Sequence, residues 1–141
     1  MLLSARELEL VLMGAQRLDL DDWRRNATYA GAFEDLGASH PVARLFWDEV
    51  SAWTDERRAL LLLWCTGSSQ VPAQGFARLQ GRDGVVRPFT VVSVDRSVAA
   101  YPRAHTCFNR IDLPLYETRE ALATAFDVAL AAENAMGCSM D

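Results

Sequence analysis

The chain has 141 residues, of which 50% are apolar and 23% are charged, a composition that predicts one folded domain and excludes disordered and collagen-like chains. Its net charge of −5 argues against a nucleic-acid-binding surface, which would be basic. The longest apolar run, residues 59–65, is much shorter than the ~20 residues that cross a bilayer. We therefore expect neither a nucleic-acid partner nor a membrane partner.

The cysteine and histidine inventory bears on compartment and metal binding. An odd number of cysteines, Cys65, Cys107 and Cys138, without close Cys-Cys spacing predicts reduced thiols. The first residues do not resemble a secretion signal, so a cytoplasmic or nuclear location is expected. The two histidines, His40 and His105, lie far apart, and we expect no metal site and no cofactor.

The N-terminal part of the chain predicts two short helices and a linker. The first helix is predicted at residues 6–13 and the second at residues 19–26, where Asp19 or Asp21 is the N-cap. Residues 28–39 are rich in glycine and alanine, which is typical of a linker. They separate a short N-terminal piece from a block of roughly a hundred residues.

Three longer helices are predicted in that block. The first, at residues 41–53, takes Ser39 as its N-cap and leaves His40 solvated, while Thr54 caps the second, at residues 55–65. Thr118 opens the third, at residues 118–135. The apolar stripe of this last helix has helical spacing: Ala121, Leu122, Ala125, Phe126, Ala129 and Leu130.

Strand signals follow the turn at residues 83–84. Residues 85–94 are rich in valine, and Pro88 weakens the first half of that strand. Residues 105–111 predict a short strand or an extended loop. We expect an α+β fold in which a small sheet, containing both segments, is covered by the helices at 41–53, 55–65 and 118–135.

Cys107 is the strongest candidate for a reactive side chain. It lies between polar residues, unlike Cys65, and the nearby Arg103, His105 and Arg110 can favour a thiolate. If the segment is extended, positions 105 and 107 share one face. The alternative is that Cys107 is a further small core residue.

Several motifs occur in a fixed order along the chain. They are an acidic helix with a tryptophan, an aromatic triplet, a Thr-Gly-x-Ser-x-Val-Pro run followed by Gly-Phe, and the polar segment that contains Cys107. Their residues are 19–26, 45–47, 66–72, 75–76 and 104–116. Together they resemble the catalytic domain of HECT-type ubiquitin ligases over essentially the whole chain.

The resemblance implies a division of the chain into lobes. Residues 1–28 resemble the tail end of the large lobe, which recruits the ubiquitin-conjugating enzyme. Tyr29, Ala30 and Gly31 resemble the flexible hinge, and residues 32–141 resemble the small lobe that carries the catalytic cysteine. Because most of the large lobe is missing, we expect the N-terminal helices to pack loosely.

The resemblance also implies a covalent mechanism. The Cys107 thiolate attacks the thioester between ubiquitin and its conjugating enzyme, holds ubiquitin as a glycyl thioester, and passes it to a lysine of a protein substrate. One thiolate replaces another, so a strong base is not required, and a thiol pKa near ~8.5 leaves a few per cent thiolate at neutral pH. The expected partners are ubiquitin, the conjugating enzyme through the missing large lobe, and protein substrates.

Other residues receive roles from the same resemblance, each beside a structural alternative. His105 supports the thiolate or the incoming carbonyl, or it fixes the loop. Thr106 lies near the thioester, or it satisfies the loop backbone. Asp141 orients the acceptor lysine. Contact with ubiquitin or packing is expected of Phe108, for which packing is favoured, and of Leu113 and Leu115. Asn109 holds either the loop or the thioester-linked tail of ubiquitin.

The chain departs from the family pattern at three positions. Cys138 stands where a phenylalanine four residues from the C-terminus is usual, Leu115 replaces a proline, and Tyr101 replaces a leucine. The first change puts transfer to substrate in doubt. An alternative is therefore a catalytically incomplete fragment or a ubiquitin-binding module. A cysteine hydrolase using His105 or His40 is disfavoured, because no Asn or Asp is clearly paired with a histidine.

Overall fold

The computed structural model describes residues 18–68, 70–81 and 83–136, and the side chains among them up to residue 131. Within these ranges lie helices α1 (Leu20–Asn26), α2 (Pro41–Ser51), α3 (Asp55–Thr66) and α4 (Arg119–Met136), and strands β1 (Thr28–Ala30), β2 (Thr90–Val94), β3 (Arg103–His105) and β4 (Arg110–Pro114). The expected α+β class is confirmed. The predicted helix at residues 6–13, together with Cys138 and Asp141, lies outside the described residues.

The sheet has the strand order β1-β2-β4-β3. Strand β2 pairs in parallel with β1 and with β4, whereas β3 runs antiparallel to β4. Val91, Ile111 and Leu113 are wholly buried on one face, as the two-residue period of a strand requires. Helix α3 packs on β3 and β4, and α4 packs against α2 and α3, so the core lies between the helices and this face.

The segment at residues 105–111 is not one extended stretch, which corrects the prediction. A 3₁₀ turn, Thr106–Phe108, separates β3 from β4. Asn109 follows with a φ of 51°, the left-handed conformation that asparagine adopts more readily than most residues. The chain therefore reverses here, and His105 pairs with Arg110 across the hairpin.

Helix α1 is packed tightly, so the expectation of loose packing is wrong for this helix. Trp23 is wholly buried and stacks on Phe76, with ring centroids 5.0 Å apart and planes 8° from parallel. Its ring also meets Trp47 and Phe89 edge-on. Asp22 adds a directional bond, because its Oδ2 accepts from the Phe76 backbone N–H at 2.8 Å. The aromatic contacts of Trp23 and the hydrogen bond of Asp22 together hold this two-turn helix against the core.

The helix caps were predicted correctly in three of four cases. The side chains of Asp19, Thr54 and Thr118 each accept from a backbone N–H three residues later. The prediction of Ser39 as a cap is wrong, because Ser39 belongs to a preceding 3₁₀ turn. His40 is the cap instead: its Nδ1 accepts from the Val42 N–H at 3.1 Å, and its half-buried ring packs against a phenylalanine, so it is not simply solvated.

The residues that resemble a hinge are part of the sheet in this structure. Tyr29 and Ala30 lie in β1. The Tyr29 hydroxyl accepts from Trp47 Nε1 and donates to the Arg24 carbonyl, each at 3.0 Å. Burial raises the pKa of Tyr29 above its usual value. Gly31 has a φ of 67°, and a Cβ there would collide with Ser93. The hinge and the division into lobes stay predictions.

Among the described helices, none is both long and apolar enough to cross a bilayer.

The packing of α1 can be tested by removing its tryptophan. We expect Trp23→Ala to lower the free energy of unfolding by about 3–5 kcal/mol, because it removes a wholly buried ring. Tyr101→Ala is the matched control, since Tyr101 is 53% exposed and its loss should cost no more than about 0.5 kcal/mol. Denaturant unfolding monitored by circular dichroism measures both. Equal values for the two variants would contradict this packing.

Candidate active site

Two cysteines are described, and their surroundings differ. Cys107 is exposed in the turn Thr106–Phe108, at the tip of the β3–β4 hairpin. Cys65 lies inside helix α3 and is wholly buried, and burial raises the pKa of its thiol. The thiolate is the nucleophilic form, so Cys107 is the described cysteine that is available for chemistry. The alternative that Cys107 is a core residue is wrong.

Asn109 connects the turn that carries Cys107 to another part of the backbone through its side-chain amide. Its side chain is wholly buried, and its Nδ2 donates to the carbonyls of Gln80, at 3.1 Å, and Arg87, at 2.8 Å. Both neighbours are acceptors, so the NH₂ group must face them. The Oδ1 atom has no hydrogen-bond partner among the described residues. Of the two roles expected for Asn109, these bonds favour holding the loop, and contact with the ubiquitin tail is wrong for this conformation because the side chain has no exposed surface.

Three charged or ionisable side chains meet beside the turn. His105 Nε2 lies 2.7 Å from Asp112 Oδ2, and Arg110 Nε lies 3.2 Å from Asp112 Oδ1, as an ion pair without hydrogen-bond alignment. Two of the three basic neighbours expected to favour the thiolate thus contact a carboxylate. The pairing favours the role of His105 in fixing the loop. Within the described ranges, no three His, Cys, Asp or Glu side chains come together to hold a metal ion.

Sequence reasoning missed Asp112, although a signal was present. In a strand, positions 110 and 112 point to the same face, and the antiparallel partner of Arg110 is His105. A prediction of two strands around the cysteine would therefore have placed all three side chains together. The single extended segment that was predicted instead gives no cross-strand pairs.

The remaining predicted contact residues fall into exposed and buried groups. Phe108 is 56% exposed, so the favoured packing role is wrong for it. Leu113 is wholly buried and cannot touch a partner in this conformation, which corrects its assignment to a ubiquitin contact. Leu115 is half-buried against the core, and Thr106 is buried within the turn. Of the four, Phe108 offers the most surface beside Cys107.

The difference between the two thiols predicts selective alkylation. With iodoacetamide at neutral pH, we expect Cys107 to be modified at least tenfold faster than Cys65, because burial keeps the Cys65 thiol protonated and out of reach. Tryptic peptides and mass spectrometry follow each site separately. In denaturant the two rates should converge. Equal rates in the folded protein would show that the assigned exposures are incorrect.

Comparison with known proteins bears on the family of the chain. A family model described as HECT-domain (ubiquitin-transferase) matches residues 1–139. The mouse (Mus musculus) E3 ubiquitin-protein ligase HECW2 is 48% identical over 113 residues, which cover 80% of this chain and 7% of that protein. HECW1 of Homo sapiens is 45% identical over 119 residues, covering 84% and 7% respectively. RSP5 of Chaetomium thermophilum is 42% identical over 132 residues, covering 94% and 15%.

The chain thus spans no more than 15% of the length of these three relatives. A family match over nearly every residue, together with identities well above 30%, decides the classification. The chain belongs to the HECT-domain family of ubiquitin transferases.

Proposed function

We propose that this chain accepts ubiquitin as a thioester on Cys107 and passes it to a lysine of a protein substrate. The observation that carries the proposal is the exposure of the Cys107 thiol at the tip of the β3–β4 hairpin. It occurs in a chain whose family and relatives are described as ubiquitin transferases and ligases. We assign docking of the conjugating enzyme to the large lobe, of which residues 1–28 resemble the end.

The proposed first step is a thioester exchange. Cys107 Sγ attacks the carbonyl carbon of the terminal glycine of ubiquitin, a new C–S bond forms, and the thiolate of the conjugating enzyme leaves. In the second step an unprotonated lysine amine attacks the same carbon, a C–N bond forms, the C–S bond breaks so that Cys107 leaves as a thiolate, and the amine nitrogen loses one proton to solvent. Because sulfur replaces sulfur in the first step, no base is needed beside Cys107. The contact of His105 with Asp112 is compatible with this chemistry.

The composition simplifies a test. All 14 basic residues are arginines, so the chain offers no lysine side chain on which ubiquitin could form an isopeptide. A side-chain adduct that thiols reverse must therefore be a thioester on cysteine. The described cysteines differ enough in exposure to make Cys107 the expected site.

The test uses ubiquitin with a C-terminal mercaptoethanesulfonate thioester, which removes the need for a conjugating enzyme. We expect the 141-residue chain to form a 1:1 adduct that dithiothreitol reverses, followed on non-reducing gels and by mass spectrometry. Cys107→Ala should abolish the adduct, whereas Cys65→Ala and Cys138→Ala should keep it. An adduct that survives Cys107→Ala would overturn the proposal.

Phe108 provides a second prediction for the same assay. Its exposed ring is adjacent in sequence to Cys107, and we propose that it contacts the ubiquitin tail. Phe108→Ala should slow adduct formation roughly fivefold, equivalent to about 1 kcal/mol, without changing the alkylation rate of Cys107. Tyr101→Ala is the matched control because its ring has nearly the same exposure. Equal rates for Phe108→Ala and the parent chain would remove Phe108 from the contact.

The hydrolase alternative gains one observation from the structure. It was disfavoured because no acid was clearly paired with a histidine, yet Asp112 lies 2.7 Å from His105. A cysteine hydrolase would release free ubiquitin from Cys107 by attack of water, so the adduct would decay without an added amine. The ligase proposal instead predicts an adduct that persists for minutes and is discharged by free lysine. The decay of purified adduct, with and without lysine, separates the two.

A further inference from the structure

Asn109 joins three separate parts of the chain beneath the nucleophile. Its backbone N–H donates to the Thr106 carbonyl at 3.4 Å, which closes the turn that carries Cys107. Its backbone carbonyl accepts from the Thr90 N–H at 3.0 Å, at the start of β2. Its side-chain amide reaches the carbonyls of Gln80 and Arg87, at 3.1 and 2.8 Å.

The two carbonyls that the amide reaches belong to paired arms, residues 79–81 and 85–87. Gly81 N–H donates to the Val85 carbonyl at 2.9 Å, and Arg87 N–H donates to the Leu79 carbonyl at 2.7 Å. The amide therefore bonds to both arms of one hydrogen-bonded unit and does not hold a single free strand. Because both acceptors are backbone atoms, the contact needs a side chain with two donors at this point.

We propose that Asn109 is a positioning residue for Cys107. Its buried amide holds the Cys107 turn against the paired arms by two hydrogen bonds and thereby fixes the position of the thiol relative to the sheet. The inference rests on the proposed function, because position matters only if Cys107 must meet an acyl group in a defined geometry. A misplacement of about 1 Å is enough to cost roughly a hundredfold in rate. Alkylation by a small reagent has no such requirement.

Two substitutions separate the amide from the backbone conformation. Asn109→Gly keeps a residue that accepts a positive φ and removes the amide. Asn109→Asp keeps nearly the same shape but replaces the NH₂ donor with a carboxylate that faces two carbonyls. The control is Asn26→Ala, which removes a half-buried amide that also donates to a backbone carbonyl, at the end of α1.

Three readouts are measured on the 141-residue chain: adduct formation with the ubiquitin thioester, alkylation of Cys107, and amide hydrogen exchange. We expect both Asn109 variants to form adduct ten- to a hundredfold more slowly than the parent chain. Alkylation should change less than threefold. Amides of residues 107–110 should exchange faster, while those of α3 stay protected and so report a folded core. Asn26→Ala should match the parent chain in all three.

The outcomes distinguish this inference from the proposed function. If the parent chain forms adduct and the folded Asn109 variants match it in rate, the positioning role is overturned and the thioester proposal stands. If the parent chain forms no adduct, the proposed function fails, and hydrogen exchange alone decides whether the amide pins the turn. If the amide hydrogen-exchange rates of residues 107–110 are unchanged in both variants, the inference that the Asn109 amide holds the turn is overturned in either case.

Discussion

The pairing of strand β4 on both of its edges is the constraint on which the site depends. It binds β2 in parallel on one side and β3 antiparallel on the other, while Ile111 and Leu113 are wholly buried beneath it. A strand held by two ladders and by a packed core cannot shift by one residue without exposing its apolar face. The turn that carries Cys107 lies just before the first residue of this strand, so the register of the sheet fixes the position of the Cys107 thiol.

Successive side chains of β4 point to opposite faces of the sheet, so core residues alternate with the charged residues near Cys107. Ile111 and Leu113 contribute to the core, whereas Asp112, between them, contacts both His105 and Arg110 beside the turn. A charged cluster is tolerated there because its members lie on the face opposite Ile111 and Leu113, contact one another and remain partly exposed. The chemistry of the site and the packing of the fold therefore use alternate residues of one strand.

The N-terminal segment shows why a resemblance to a two-lobed domain does not by itself predict how a piece of it packs. Because residues 1–28 resemble only the end of a large lobe, α1 was expected to be loosely held. In this structure Trp23 instead inserts between Phe76 and Trp47, and Asp22 bonds to the backbone of the same loop. Burying an aromatic ring of this size contributes a large part of the free energy that holds a short helix in place.

The amino-acid sequence predicted those features that depend only on residues a few positions apart in the chain. Hydrophobic periodicity located the three long helices, side-chain oxygens located the caps at Asp19, Thr54 and Thr118, and polar neighbours singled out Cys107. The failures arose where two local signals compete. Ser39 and His40 are adjacent candidates for one cap, and only the preceding 3₁₀ turn decides between them.

Burial and cross-strand contact were decided by the tertiary structure alone. Leu113 is buried whereas the equally apolar Phe108 is exposed, and residue type does not reveal which of the two is covered. Nor does it reveal that the Asn109 amide contacts the backbone of residues 80 and 87. The left-handed residue after the turn converts an apparent extended segment into a hairpin and so brings Asp112 to His105. Sequence alone singled out Cys107 as the candidate nucleophile, because the reactivity of a thiol depends on side-chain type and local polarity. What surrounds that nucleophile depends on contacts between residues far apart in the chain, which only the folded arrangement specifies.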